Sequence, residues 1–292
     1  VTGSGQVTLG SNLSVGGNTT INGATALLDI TGTFTELGAL NLNQGSLTTT
    51  GDITVTGLTT WNAPFVSSAN QAFTLDGAGG LIASGGFAIG ANTLGDTLTL
   101  NKALTINADS TWASFNSGVT NTISGTGSII NNATITASNS GNLTIAVPFS
   151  NSATGVFTKS SGVGNVIFSN DFVNAGTVNA DFDVIELRGT GVYNHTGSFN
   201  VAAGAVLDLE NGTHTFGALN TVTGTGTLTN TGAITDFTTS GLQAGHTLTV
   251  TSGSVTLGTA TSDLTALSVS GGSVTTGSAA LAIANNLSVT AS

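Results

Sequence analysis

Short runs in which aliphatic and hydroxyl-bearing residues alternate recur along the whole chain. Examples are Gln6-Val7-Thr8-Leu9, Asp52-Ile53-Thr54-Val55-Thr56, Thr97-Leu98-Thr99-Leu100, Ala103-Leu104-Thr105-Ile106 and Thr247-Leu248-Thr249-Val250-Thr251. A period of two puts the aliphatics on one face of a strand and the threonines on the other. Gly, Asn or Asp interrupts the pattern every few residues, which marks tight turns. Sustained 3.6-residue periodicity is absent, and Thr, Asn and Gly stand where a helix would carry Lys, Arg, Glu and Gln. No apolar run approaches the roughly eighteen residues that a membrane-spanning helix requires. The pattern predicts an all-β chain of many short strands.

The strands fall into internal repeats. Leu248-Thr-Val250 with Gly253-Ser254-Val255-Thr256 recurs as Leu267-Ser-Val269 with Gly272-Ser273-Val274-Thr275, and Leu40-Asn-Leu42 with Gly45-Ser46-Leu47-Thr48 has the same form. Asn121-Thr122-Ile123 with Gly125-Thr126-Gly127 and Ile129 returns as Asn220-Thr221-Val222 with Gly224-Thr225-Gly226 and Leu228. Ile53-Thr54-Val55 followed by Trp61 is matched by Leu104-Thr105-Ile106 followed by Trp112. Repeats of this kind are turns of a solenoid, each burying its inward residues only against its neighbours. The spacing predicts a parallel β-solenoid of roughly 15 coils of about 16–20 residues, or a larger unit of about 50 residues holding two or three coils. At the strand spacing of about 4.8 Å the stack would measure on the order of 70 Å. Nothing marks a linker, so one continuous domain, residues 1–292, is expected, uncapped at both ends. Uncapped coils expose strand edges, which suggests either a segment of a longer array or end-to-end assembly, the latter carried by Val7 and Leu9 at one end and by Leu287 and Val289 at the other.

The units Gly-Thr-Gly-x-[Leu/Ile], Asn-x-Gly-x-[Ile/Val] and Gly-Ser-[Val/Leu]-Thr, spread over the whole chain, resemble the passenger regions of large bacterial adhesins. Filamentous-haemagglutinin-like exoproteins and autotransporter passengers are the nearest groups. The resemblance implies a right-handed β-helix, export across an outer membrane, and a secreted or cell-surface location in a fibre. The Asn-Pro-Asn-containing export domain of the two-partner family is not in this sequence, so the resemblance implies a stalk region or a relative of that family.

Composition narrows the partners. The 292 residues include 14 acids but only Lys102, Lys159 and Arg188 as cations, for a formal net charge of −11. Too few cations are present to neutralise phosphates, so nucleic acid is excluded as a partner and an anionic membrane surface is disfavoured. Without cysteine there is neither a disulfide frame nor a thiolate metal site. The polar Thr/Asn/Ser surface points to contacts with sister chains or with surface glycans.

Candidate chemistry is sparse. Asp181, Asp183 and Glu186 form the densest acidic group, with Asp208 and Glu210 next. In a regular strand Asp181 and Asp183 share one face and Glu186 the other. A glycan-cleaving site would draw on such carboxylates, but its usual His and Arg neighbours are missing, so a solvated face is expected. Asp181 and Asp183 are also the best candidates for a structural ion. His195, His214 and His246 read as exposed polar residues. Trp61 and Trp112, with Phe65 and Phe115, would either fill the core or form a platform for sugar rings. The pairs Thr54/Thr56, Thr97/Thr99, Thr134/Thr136 and Thr247/Thr249 raise ice binding, although they do not recur at one fixed interval. No cofactor and no enzymatic activity are expected. The primary expectation is a structural or adhesive rod, with a polysaccharide-binding or -degrading protein and an ice-binding solenoid as alternatives.

Overall fold

Alternation becomes structure through parallel pairing: each short strand lies on its counterpart in the next turn, with aliphatic residues inward. The computed structural model describes residues 1–62, 72–90, 95–114, 118–217, 222–237, 242, 245–258, 262–278 and 280–290. Among the described residues it is a helix-free β-solenoid of stacked parallel strands, about 12 turns. The chain divides into two compact units, Val1–Phe149 and Ser150–Ser292. No helix among the described residues is long and apolar enough to cross a membrane.

In the first unit a turn carries three strands, as in Leu81–Ala83, Phe87–Ile89 and Thr97–Leu100, followed by Ala103–Ile106, Ser110–Ser114 and Thr120–Ser124. Ile53 sits over Leu81, Leu81 over Leu104, and Leu104 over Ile129, forming one inward column. Another runs Ile21, Leu42, Trp61, Ile89, Trp112, Ala137. The paired tryptophan repeats of the sequence are therefore two turns apart in one column. Both tryptophans are 0% exposed, and the Trp112 indole Nε1–H donates to Phe87 O at 2.8 Å. They belong to the core, which removes Trp61 and Trp112 as a sugar platform. Phe65 and Phe115 lie outside the described residues.

The step from turn to turn varies more than the repeats suggest. It is 19 residues where Thr56 reaches Leu37, 28 where Gly80 reaches Asp52, and 25 between Asn107 and Asn132. Corners absorb the difference while the strands keep register, so the turns are longer and fewer than the 16–20-residue, 15-coil expectation.

The second unit is built on the same plan. Val166–Phe168, Val184–Leu187, Val206–Leu209, Thr227–Asn230 and His246–Val250 stack in order. Val192–His195, Thr213–Phe216, Ile234–Phe237, Ser254–Leu257 and Ser273–Thr276 form a separate five-stranded sheet. The sequence repeat beginning at Leu248 and Leu267 is true register, since Leu248 pairs with Leu267 and Val250 with Val269.

Buried asparagines tie corners to the core. Asn131, Asn139, Asn151, Asn174 and Asn230 end their strands pointing inward, at most 1% exposed. Each bonds the backbone of the corner that follows it: Ala133 N, Gly141 O, Gly155 O, Gly176 N and Ala233 O respectively. An inward carboxamide thereby satisfies corner groups that no strand can reach. The sequence pattern assigns asparagine to the turns; here the residue sits one step earlier and faces in.

Candidate functional site: a surface cleft in the second unit

Three corners stacked in the second unit leave a cleft of about 350 Å3, lined by Val163, Asp181, Phe182, Asp183, Ala203 and Gly204. The middle corner departs from the regular strand that alternation implies. Asp183 takes φ 55°, the left-handed region that Asp tolerates better than most residues. Instead of dividing between two faces, Asp181, Phe182 and Asp183 all line the cleft. The Asp181 and Phe182 amides both donate to Lys159 O, at 3.0 and 3.1 Å, and Val206 N donates to Asp183 O at 2.8 Å. Phe182 is 46% exposed. Every other phenylalanine whose side chain is described is buried.

Beneath this corner lies Lys159, whose side chain points inward and is fully buried. Its Nζ donates to Ser161 O and, at 2.6 Å, to Gly162 O. It also lies 5.9 Å from the Phe182 ring centroid. Burial lowers the ammonium to about 8, with the Asp183 charge acting in the opposite direction.

The other candidate acids gather nearby in sequence, with Glu186 and Asp208 on one outward column. Ile167, Glu186, Asp208 and Thr229 are successive partners. Glu186 pairs with Arg188 and accepts from Asn165 Nδ2, while Arg188 Nε pairs with Glu210 at 3.0 Å. Burial raises the Glu186 carboxyl above its ordinary value. Burial also pushes Asp208 up to about 6, opposed by the Thr231 hydroxyl and aided by Glu210 and Glu186. Thus Glu186 joins Asp208 and Glu210 rather than Asp181 and Asp183. No group of three or more His, Asp or Glu that could hold a metal ion occurs among the described residues, Asp181 and Asp183 included.

The three histidines are buried rather than exposed, because each occupies an inward position of its strand. His195 Nε2 and His214 Nδ1 lie 3.0 Å apart, and the rings stack at 5.3 Å. Asn174 N donates to His195 Nδ1 at 3.3 Å, and His214 Nε2 meets Asn211 O at 2.8 Å. One assignment gives every ring nitrogen a matched partner: His195 Nε2–H donates to His214 Nδ1, and His214 Nε2–H donates to Asn211 O. Both rings are then neutral.

Hydroxyl pairs align across turns despite their irregular spacing in sequence. Thr97 and Thr99 pair with Thr122 and Ser124, and Thr247 and Thr249 pair with Thr227 and Thr229. The arrays are short: Ala72 and Ala266 interrupt them. Of the residues expected at an assembly interface, Val7, Leu287 and Val289 are exposed, and Leu9 is half-buried.

Comparison with known protein families, with curated proteins and with solved structures gave no match.

Proposed function

We propose that this chain is a structural segment of an extracellular, adhesive β-solenoid protein, of the kind found in bacterial surface fibres. The observation that carries the reading is the division of labour between the two strand faces. Inward columns are mainly aliphatic, aromatic or asparagine, which gives mechanical continuity. Outward columns such as Thr20–Asn41–Thr60 and Thr158–Asn179–Asn200–Thr223 are neutral and half-buried. In the latter, Asn200 Nδ2 donates to Asn179 Oδ1 at 2.8 Å and Asn179 Nδ2 to Thr158 Oγ1 at 3.0 Å, so the surface itself is tied from turn to turn. Such a face suits weak, repeated contacts with sister chains or glycans.

The cations support the exclusion of nucleic acid. Lys102 and Lys159 are buried and Arg188 is held between Glu186 and Glu210, so none offers a free charge to a phosphate. Exposed Val7, Leu287 and Val289 fit the self-association part of the reading. Sedimentation velocity and electron microscopy over a wide concentration range test it. Association that weakens in the double variant Leu287→Asp/Val289→Asp is expected; monomers at every concentration would remove self-assembly from the proposal. Release of reducing ends from a polysaccharide panel, lost in Asp208→Asn, would overturn the structural reading in favour of an enzyme.

A further inference from the structure

We propose that the cleft lined by Val163, Asp181, Phe182, Asp183, Ala203 and Gly204 binds one neutral hexopyranose unit of a glycan. The anomaly that calls for an occupant is Phe182. It is 46% exposed, where every other phenylalanine whose side chain is described is buried, and it lines the cleft beside Val163, itself 67% exposed. An aromatic face presented to water beside acceptors matches the two sides of a pyranose: a C–H face that packs on the ring and an equatorial rim of hydroxyls. The Asp181 and Asp183 carboxylates, which line the same cleft, would accept hydroxyl protons in charge-assisted hydrogen bonds.

Other occupants fit less well. An anionic sugar would face two carboxylates, while the one nearby cation, Lys159, is buried and already donates to Ser161 O and Gly162 O. A cationic ligand would compete with Lys159, which already lies 5.9 Å from the Phe182 centroid and is attracted to Asp183. An extended peptide would need backbone partners along the middle corner, but the Asp181 and Phe182 amides there are both spent on Lys159 O. The volume, about 350 Å3, is near the lower end of the roughly 300–1,000 Å3 found for small-molecule sites. That suits a single sugar unit. Gly204, at φ +82° with open space where a Cβ would be, leaves one side of the cleft unobstructed for the rest of a chain. The turns carrying the site are fixed by their own hydrogen bonds, so the site is formed before the ligand arrives.

Saturation-transfer NMR on the intact chain tests this, with the methyl glycosides of glucose, galactose and mannose as probes and methyl galacturonoside and methyl glucosaminide as comparisons. Transfer to the ring C–H protons of at least one neutral hexoside is expected. Phe182→Ala should weaken that binding by about tenfold or more, and Phe182→Trp should keep it. Ala203→Leu, which fills the cleft without touching the turn hydrogen bonds, should also abolish it. The proposal is overturned if no neutral hexoside shows transfer, if Phe182→Ala and Ala203→Leu bind as the parent does, or if the galacturonoside or the glucosaminide binds more tightly than every neutral hexoside. The sugar readout is independent of chain association, so failure here leaves the structural reading standing, and the reverse also holds.

Discussion

His195 and His214 show what a single inward position demands. Both must be neutral, because a charge there would have no water and no carboxylate partner. Burial, reinforced by the neighbouring His214, holds His195 well below its ordinary value, and burial brings His214 down to about 4. In the unfolded chain both titrate near 6.5. Between these values the unfolded state binds more protons, so the stability is fully present above pH 6.5 and is lost as pH falls towards 4. For His214 alone the loss is about 3 kcal/mol. Asp208, raised to about 6, and Glu186, also raised, work the other way, adding stability as pH drops through their folded values. The histidine contribution is therefore read as a difference. Thermal melts of the double variant His195→Asn/His214→Thr are expected to show a smaller acid-side decline in melting temperature between pH 6.5 and 4 than those of the parent, since only buried His246 is left to contribute in that direction. An unchanged slope would mean that the pair is charged or open to solvent. These positions were legible: strict alternation in Val192-Tyr193-Asn194-His195 puts His195 with Tyr193, and in Thr213-His214-Thr215-Phe216 it puts His214 with Phe216. Residue type, which favours the surface for His, pointed the wrong way.

Corners decide stability at the scale of elements. The Gly-Thr-Gly segments at 125–127 and 224–226 are corners that open in the same conformation: Gly125 and Gly224 sit at φ 123° and 111°. A Cβ on Gly125 would lie 2.3 Å from Leu100 O, and one on Gly224 2.1 Å from Val201 O. Gly118 also has a positive φ, 84°, but open space around it. Gly125→Ala is expected to destabilise by several kcal/mol, and Gly118→Ala by about 1 kcal/mol, the cost of the backbone conformation alone. Denaturant titration compares them, and equal effects would show that close approach of the turns is not what selects glycine at position 125. The asparagines predict a second ranking. Asn174 serves Asn151, Gly176 and Ser198 at 2.8, 3.1 and 2.9 Å. Asn174→Ala should cost about 3 kcal/mol, whereas Asn132→Ala, whose bond to Asn107 Oδ1 is solvent-exposed, should cost under about 1 kcal/mol. If both cost the same in denaturant titration, the buried carboxamide is not what ties the corner. The strands and the glycine corners could be read from period and punctuation. The asparagines could not, because the same residue serves a turn from outside or from within. The cleft was hidden for a related reason: the left-handed Asp183 breaks alternation at the one place where Phe182 would otherwise have been read as core.

Charge is a property of the whole molecule, and here it is nearly absent as a source of stability. Only 6% of residues are charged. Among the described residues the ion pairs are those of Arg188 with Glu186 and Glu210. What holds each unit is the inward columns and the hydrogen bonds that run from turn to turn, and dissolved salt screens neither. Composition made this legible before any strand was placed, but not that the three cations would be tied up individually, which depends on register. Salt is therefore expected to have little effect: the melting temperature should not fall between about 0.05 and 1 M NaCl, where the Debye length shrinks from over 10 Å to about 3 Å. Arg188→Ala should change the melting temperature in low salt more than in high salt, because it removes the one screened network and leaves Glu186 buried beside Glu210. Calorimetry at the two salt concentrations checks both statements. A large fall in the parent at high salt would show that ion pairs carry the fold. An Arg188→Ala effect of equal size at both would show that the side chain acts by packing over Glu186 rather than by its charge.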